Sequence, residues 1–268
     1  MLKDITLGQY FPGNSPVHRL DPRTKILFLV VYIVALFSAD GWASYAAVGC
    51  FLVLAVAISQ IPLKSLAHGM KPLVMILVFT GLLNIFFTTE GKLLVHFWVI
   101  KVYTGGIVRA VQMILRILML ITGTFLLTYT TSPIALTDGL ESLLGPLKKL
   151  RIPVHELSMM MCIALRFIPT LIEETDKIMS AQKARGADFE SGNLMKRVKA
   201  LVPILVPLFI SAFRRADELA TAMECRCYQG GDGRTKMKLL RYKLLDFEAF
   251  GIAILLLAAV FTLRTLGL

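Results

Sequence analysis

Hydrophobic residues form long runs, separated by short polar segments, between residues 26 and 130 and again between residues 247 and 263. A helix needs about 20 mainly apolar residues to cross a bilayer, and five runs reach or approach that length. They cover Ile26–Ala39, Trp42–Ile61, Leu73–Phe87, Gly106–Thr130 and Phe247–Leu263. The first run is short, and we expect Lys25 to lengthen it by extending its side chain to the interface. The pattern predicts a polytopic membrane protein.

The segment between the third and fourth runs, Thr88–Tyr103, contains the aromatic residues Trp98 and Tyr103. Tryptophan and tyrosine are enriched where a membrane meets water. We therefore expect this segment to form a short interfacial hairpin at the outer surface.

A different pattern fills the residues from Thr131 to Leu244. Apolar positions recur there at spacings of three and four, as in amphipathic helices, over Ile134–Leu147, Val154–Arg185 and Leu194–Arg226. The last two helices would each be about 48 Å long, which exceeds the thickness of a bilayer. We expect them to lie along the inner membrane surface rather than to cross it.

The composition agrees with a membrane protein. Hydrophobic residues make up 56% of the chain and charged residues 18%, against about 45–50% and 25% in soluble domains. In a soluble protein the net charge of +11 would suggest nucleic-acid binding. Because nucleic-acid-binding motifs are absent from the sequence, we attribute the charge to the lysines and arginines that accumulate on the cytoplasmic side of membranes.

The distribution of these cations predicts the orientation. With the N-terminus inside, 24 of the 29 lysines and arginines lie in inside segments and three lie outside. The N-terminus is therefore predicted to be cytoplasmic and the C-terminus extracytoplasmic. The chain then divides into a cytoplasmic N-terminal segment, a four-span bundle, a cytoplasmic domain of three amphipathic helices, and a fifth span, at residues 1–25, 26–130, 131–244 and 245–268. The first residues, Met1–Tyr10, lack the pattern of a cleaved signal peptide.

The two long amphipathic helices end with similar sequences. A shift of 41 residues aligns Asp176 with Asp217 and Arg185 with Arg226, each arginine lying between two small residues. A cation is favoured at a helix C-terminus, and Gly186 can adopt the left-handed conformation that ends a helix. Gly230-Gly231 supply a similar break after Arg226. One such arginine could be an ordinary surface residue, but two matched ends suggest a receiver with two equivalent clefts, such as a dimer.

The sequence resembles the transmembrane T component of energy-coupling-factor transporters, the EcfT/CbiQ family. The resemblance lies in the segment from Tyr10 to Lys25, in Ala164–Glu174 with its Arg166, Pro169 and Glu174, and in Ala181–Gly186. It implies an all-α membrane protein with about five transmembrane helices and a cytoplasmic coupling domain of three amphipathic helices between the fourth and fifth spans.

The resemblance also implies partners. In this family two Ala-Arg-Gly motifs end two coupling helices, which dock into two ATP-binding subunits. The corresponding residues here are Ala184-Arg185-Gly186 and Cys225-Arg226-Cys227, the second with cysteines at both flanks. The family's membrane-embedded S component, which binds a vitamin or a metal ion, would contact apolar residues of the three helices. We assign this contact to Leu140, Leu144, Met160, Met161, Leu165, Leu205, Phe209 and Phe213.

The resemblance places ATP and magnesium in the partner subunits, so we expect no cofactor and no catalysis in this chain, and a prokaryotic cell membrane as its location. The sequence contains no phosphate-binding Gly-x-x-x-x-Gly-Lys motif. We expect the intramembrane residues Arg109 and Arg116 to make hydrogen bonds inside the bundle. We expect Glu173, Glu174 and Asp176 to lie on a solvated helix face, where they could pair with Arg166 or Lys177. The alternatives are a stand-alone secondary carrier and an intramembrane enzyme.

Overall fold

The computed structural model describes residues 10–89, 92–97, 100–187, 189, 194–231 and 239–266. The predictions for Met1–Gln9, Trp98 and the helix break up to Asn193 lie outside these residues. The described chain is helical except for one short hairpin, as the all-α prediction requires. Contacts divide it into two compact units. The chain passes from one unit to the other between Gly139 and Leu140 and again between Leu239 and Leu240. We call them the bundle unit (residues 10–139 and 240–266) and the paired-helix unit (residues 140–239).

The bundle unit contains six helices of eight residues or more that begin and end within its described residues. Its helices and strands are α1 (Pro16–Arg19), α2 (Pro22–Ser38), α3 (Trp42–Ser59), α4 (Leu63–Met70), α5 (Val74–Phe87), β1 (Leu93–Phe97), β2 (Ile100–Tyr103), α6 (Thr104–Thr130) and α10 (Leu244–Thr265). A 3₁₀ turn, Lys71–Leu73, joins α4 to α5. The boundary between the units falls within α7 (Pro133–Leu144).

The core of the bundle unit lies around α2. The side chains of Ala35 and Leu36 are fully buried, and Val48 of α3 and Val260 of α10 are buried against them. Asp21 begins α2 as its N-cap, because its carboxylate accepts a hydrogen bond from the backbone N–H of Arg23 at 2.9 Å. Small and branched side chains let the neighbouring helices approach α2 closely.

Among the described residues, five helical segments are long and apolar enough to cross a membrane. Three of them match predicted spans: Trp42–Ser59, Thr104–Thr130 and Leu244–Thr265. The fourth, Leu63–Phe87, extends the predicted third span backwards by a helix and a turn. The fifth is not the predicted first span but α8, Val154–Ala184.

The predicted first span corresponds to α2, which has 17 residues. That is the lower limit for crossing a bilayer. The prediction that Lys25 lengthens this span by reaching the interface is wrong. Lys25 is 7% exposed, and its Nζ donates hydrogen bonds to the carbonyl of Thr130 at 2.8 Å and to the hydroxyl of Thr131 at 3.2 Å. Helix α6 ends at Thr130, so the ammonium group satisfies a carbonyl that has no partner within its helix.

Asp246 connects the beginning of α2 to the beginning of α10. Its carboxylate accepts hydrogen bonds from the backbone N–H of Asp21 at 2.8 Å and from that of Lys243 at 2.7 Å. Asp21 precedes α2 and Lys243 precedes α10. Together with Lys25, this buried carboxylate ties α2, α6 and α10 together at one end of the bundle unit.

The expectation that an intramembrane arginine bonds within the bundle is confirmed for Arg116. Its guanidinium donates to the carbonyl of Ala39 at 2.8 Å and lies over the rings of Phe37 and Tyr45. These contacts compensate for removing the charge from water. Arg109, seven residues earlier, is exposed in this chain.

The predicted interfacial hairpin is a two-stranded antiparallel ribbon. Strands β1 and β2 pair Leu93 with Tyr103 and Phe97 with Ile100, and a bulge interrupts the register after Leu93. The hairpin is the only departure from helix among the described regular elements.

The paired-helix unit contains the end of α7 and two long helices, α8 (Val154–Ala184) and α9 (Leu194–Glu224). Each long helix has 31 residues, close to the predicted length. Both continue as helices through their internal prolines, which are Pro169 in α8 and Pro203 and Pro207 in α9.

Candidate functional site

The first of the two predicted helix ends is a Schellman motif. Arg185 is the C-cap of α8, and Gly186 follows it in the left-handed conformation with φ +86°. The N–H of Gly186 bonds to the carbonyl of Lys183 at 3.0 Å, and that of Ala187 bonds to the carbonyl of Gln182 at 3.0 Å. These two bonds define the motif and satisfy carbonyls that the helix leaves free. The predicted left-handed conformation of Gly186 is confirmed.

The second end has the same hydrogen bonds, shifted by 41 residues. The N–H of Cys227 bonds to the carbonyl of Glu224 at 2.8 Å, and that of Tyr228 bonds to the carbonyl of Met223 at 3.1 Å. Arg226 therefore occupies the C-cap position, as Arg185 does. The similarity predicted from side chains extends to the backbone.

The left-handed residue at the second end is Cys227, with φ +56°. The predicted break at Gly230-Gly231 is present, but the helix has already ended at Cys227. Gly230 is left-handed as well, with φ +93°, and it lies four residues beyond the C-cap Arg226. A residue with a Cβ in this conformation costs about 1–2 kcal/mol, so Cys227 stores strain that Gly186 does not. A shift of 41 residues aligns Cys227 with Gly186 and would have identified this position from the sequence.

Both arginines are available to a partner. All residues of the two motifs are exposed, namely Ala184, Arg185, Gly186, Cys225, Arg226 and Cys227. Among the described residues, neither guanidinium has a hydrogen-bond or ion-pair partner. A free planar guanidinium at a helix end can form paired hydrogen bonds with a carboxylate or with backbone carbonyls.

Helices α8 and α9 are antiparallel, which places the two arginines at opposite ends of the pair. Gln182, near the end of α8, donates to the carbonyl of Pro203, early in α9, at 3.4 Å. Ile163, early in α8, lines the same apolar groove as Met223, near the end of α9. Arg185 therefore lies beside the first part of α9, and Arg226 lies beside the first part of α8.

Glu174 joins the two helices. Its carboxylate accepts a hydrogen bond from the guanidinium of Arg215 on α9 at 2.8 Å. The sequence suggested possible partners on the same helix, Arg166 or Lys177, whereas this salt bridge is made to α9. Arg166 and Pro169, the other residues of that family motif, are exposed on α8.

Many of the apolar residues assigned to a membrane partner are exposed. Phe213 is 68% exposed and Phe209 62%. Met160, Met161, Leu205 and Leu144 are also exposed, whereas Leu140 and Leu165 are half-buried. These residues do not line the groove between α8 and α9, whose apolar walls are formed by others, including Phe167, Leu171, Ala216 and Leu219. One set of apolar side chains therefore lines the groove between the two helices, and another is exposed elsewhere on them.

Sequence reasoning missed a partly buried polar cluster at the start of α8. Glu141 of α7 contacts His155 and Ser158 of α8, although the sequence shows His155 only as one of four scattered histidines. Spacing along the chain could not reveal this cluster, because the connection between the two helices brings Glu141 to the other residues.

Comparisons with known proteins agree on one family. The family described as CbiQ, cobalt transport protein, matches residues 13–237. The chain is 55% identical to the energy-coupling factor transporter transmembrane protein EcfT of Thermosediminibacter oceani, over 93% of this chain and 94% of the relative. The protein of the same name from Bacillus subtilis is 51% identical over 98% of this chain and 100% of the relative. The similarity extends through both helix ends.

Proposed function

Because the chain belongs to the CbiQ/EcfT family of energy-coupling factor transporter transmembrane proteins, we propose that it couples two ATP-binding subunits to a membrane-embedded S component. Ala184-Arg185-Gly186 docks one ATP-binding subunit, and Cys225-Arg226-Cys227 docks the other. ATP and magnesium are bound and used in those subunits, while this chain transmits the resulting movement. The S component carries the substrate, a vitamin or a metal ion.

The observation that supports this proposal is the identical capping of two exposed arginines. Each helix end presents a C-cap arginine next to a left-handed residue, with the same two hydrogen bonds behind it. Two copies of one shape suit two copies of one type of cleft. Their places at opposite ends of an antiparallel helix pair let one rigid element engage two subunits at once.

The uncovered apolar residues support contact with a second membrane protein. Phe209 and Phe213 lie one helical turn apart on α9, and Leu205 lies one turn before them. Since all three are exposed, they form a stripe along the helix. Methionines at positions 160 and 161 add adaptable side chains. The S component covers this stripe when the complex assembles.

We place the N-terminus and the paired-helix unit on the cytoplasmic side of a prokaryotic cell membrane. The distribution of lysine and arginine supports this orientation. In this arrangement α2 crosses the membrane despite its 17 residues, and α8 lies along the inner surface although it is long enough to cross. Pairing of α8 with α9 through the Glu174–Arg215 contact supports a shared location for the two helices.

Charge reversal at the two arginines tests the docking role. An uncompensated charge in a protein contact costs about 3–5 kcal/mol, so Arg185→Glu and Arg226→Glu should each weaken binding of an ATP-binding subunit more than a hundredfold. Affinity purification of the tagged chain in mild detergent measures which subunits remain bound, and uptake in cells measures coupling. Lys183→Glu and Arg214→Glu are matched controls, since both are exposed cations on the same helices.

The expected result is loss of ATP-binding subunits and of uptake in the two docking variants, and retention of both in the controls. Normal assembly and uptake in Arg185→Glu, Arg226→Glu and the double variant would contradict the proposed docking role. Recovery of a solitary chain that transports substrate by itself would favour the secondary carrier instead.

A further inference from the structure

The chain that follows the second docking end folds back onto the start of α8. We call Cys227–Gly231 the return segment. It contains two left-handed residues, Cys227 and Gly230, within four positions. Its beginning is held by the hydrogen bond from the N–H of Tyr228 to the carbonyl of Met223 at 3.1 Å. Its other end, Gly231, lies against the imidazole ring of His155.

The contact between Gly231 and His155 leaves no room for a side chain. A Cβ at position 231 would lie 2.5 Å from Cδ2 of His155, 2.9 Å from its Cγ and 3.2 Å from its Cβ. Such distances are below van der Waals contact, so the backbone packs directly on the ring. Only glycine fits this position while the imidazole stays in place.

The imidazole is held in place by a partly buried carboxylate. Nδ1 of His155 lies 3.1 Å from Oε1 of Glu141, and the hydroxyl of Ser158 donates to Oε2 at 3.2 Å. The side chains of His155 and Glu141 are 20% and 14% exposed. With Glu141 ionised, Nδ1 carries the proton and donates it. Both carboxylate oxygens are used, which fixes the ring against rotation.

These contacts connect Arg226 to the first turn of α8 through five residues of chain. We propose that Glu141, His155 and Gly231 are positioning residues for the second docking end, and that they hold Arg226 in the orientation that the ATP-binding subunit receives. This inference rests on the proposed docking function. The first end shows no comparable contact among the described residues. A Cβ at its left-handed residue, Gly186, would meet nothing within 4 Å.

Positioning has a functional advantage here. Fixing a loop in its bound conformation lowers the entropy cost of binding. The strain at Cys227 makes such support more important at the second end, since a left-handed residue with a Cβ persists only where its surroundings enforce it. The packing of Gly231 on His155 restrains the other end of the return segment and so helps to hold Cys227 in this conformation.

Gly231→Ala tests the contact, and Gly145→Ala is the matched control. Gly145 lies in the same unit, and a Cβ there would meet nothing within 4 Å. Hydrogen exchange of the purified full chain measures the amides of Cys227 and Tyr228. Overpacking displaces the return segment, so Gly231→Ala should speed their exchange about tenfold, while amides in the middle of α8 keep their rates. Gly145→Ala should change neither.

A double variant distinguishes this contact from general damage. His155→Ala should also loosen the return segment, and Gly231→Ala should add nothing further once the ring is absent. Binding of the ATP-binding subunits should fall about tenfold in Gly231→Ala and His155→Ala, and no further in the double variant. Additive effects of the two substitutions, or unchanged exchange in Gly231→Ala, would overturn the positioning role.

The same assembly assay separates this inference from the docking function. If Arg226→Glu disrupts assembly while Gly231→Ala leaves it intact, the positioning role is wrong and the docking function stands. If Arg226→Glu itself leaves assembly intact, both are wrong.

Discussion

The guanidinium of Arg215 on α9 lies 2.8 Å from the carboxylate of Glu174 on α8. The two helices are antiparallel, so this ion pair contributes to their register. Their side chains are 34% and 23% exposed, and solvent therefore screens the pair. Its contribution to the free energy of unfolding is therefore that of a partly exposed salt bridge rather than of a buried one.

Reversing one charge of this pair should destabilise the helix pair modestly, and reversing both should restore it. Glu174→Arg or Arg215→Glu is expected to lower the thermal midpoint by a few degrees, since such pairs contribute about 0.2–1 kcal/mol. Thermal unfolding of the detergent-solubilised protein measures the effect. A double reversal that is no more stable than the single variants would show that the two residues do not interact.

Substitutions at the two left-handed cap residues should have opposite effects on stability. Cys227→Gly removes the strain of a side chain at φ +56° and should stabilise the protein by about 1 kcal/mol. Gly186→Ala introduces the same strain at φ +86° and should destabilise it by about the same amount. A Cβ at Gly186 meets no neighbouring atom within 4 Å, so the effect there is purely conformational. Chemical denaturation in detergent measures both, and effects of the same sign would contradict the shared cap geometry.

The distance between Arg185 and Arg226 can be measured directly. In the antiparallel register Arg226 lies opposite residues early in α8, so roughly 25 residues of helix, or about 38 Å, separate it from Arg185. Spin labels at positions 185 and 226, in a variant whose native cysteines are replaced by serine, should report a distance near this value.

Labels at Lys183 and Val202 form the matched control. These residues flank the contact between Gln182 and Pro203, and helices in contact have axes about 8–10 Å apart. The control pair should therefore report a much shorter distance. Similar distances for the two pairs would contradict the antiparallel arrangement.

Removing the ammonium group of Lys25 should destabilise the bundle unit. Lys25→Met leaves the carbonyl of Thr130 and the hydroxyl of Thr131 without this donor, and an unsatisfied buried polar group costs about 1–3 kcal/mol. Lys64→Met is the control, because Lys64 is exposed. A thermal midpoint that is lowered in Lys25→Met and unchanged in Lys64→Met is the expected result. Equal midpoints for both variants would show that the hydrogen bonds of Lys25 do not stabilise the fold.

Local sequence patterns were sufficient to predict most of the helices. The spacing of apolar residues predicted α8 and α9 to within two residues of their ends, and the matched arginines were recognisable from the sequence. Helix α2, with Asp21 as its N-cap and Pro22 as its first residue, also follows local rules. The prediction for Lys25 was wrong because its location depends on the end of α6, which is 105 residues away.

The sequence by itself determined that this chain enters a membrane, that two long amphipathic helices follow the fourth apolar run, and that each ends in an arginine among small residues. These properties depend on hydrophobicity, periodicity and helix-end chemistry, which act over a few neighbouring residues. Only the tertiary structure decided that the two arginines lie at opposite ends of an antiparallel pair, that Arg215 is the partner of Glu174, and that Gly231 packs on His155. These relationships depend on which helix faces meet and in what register, and packing between distant segments decides that.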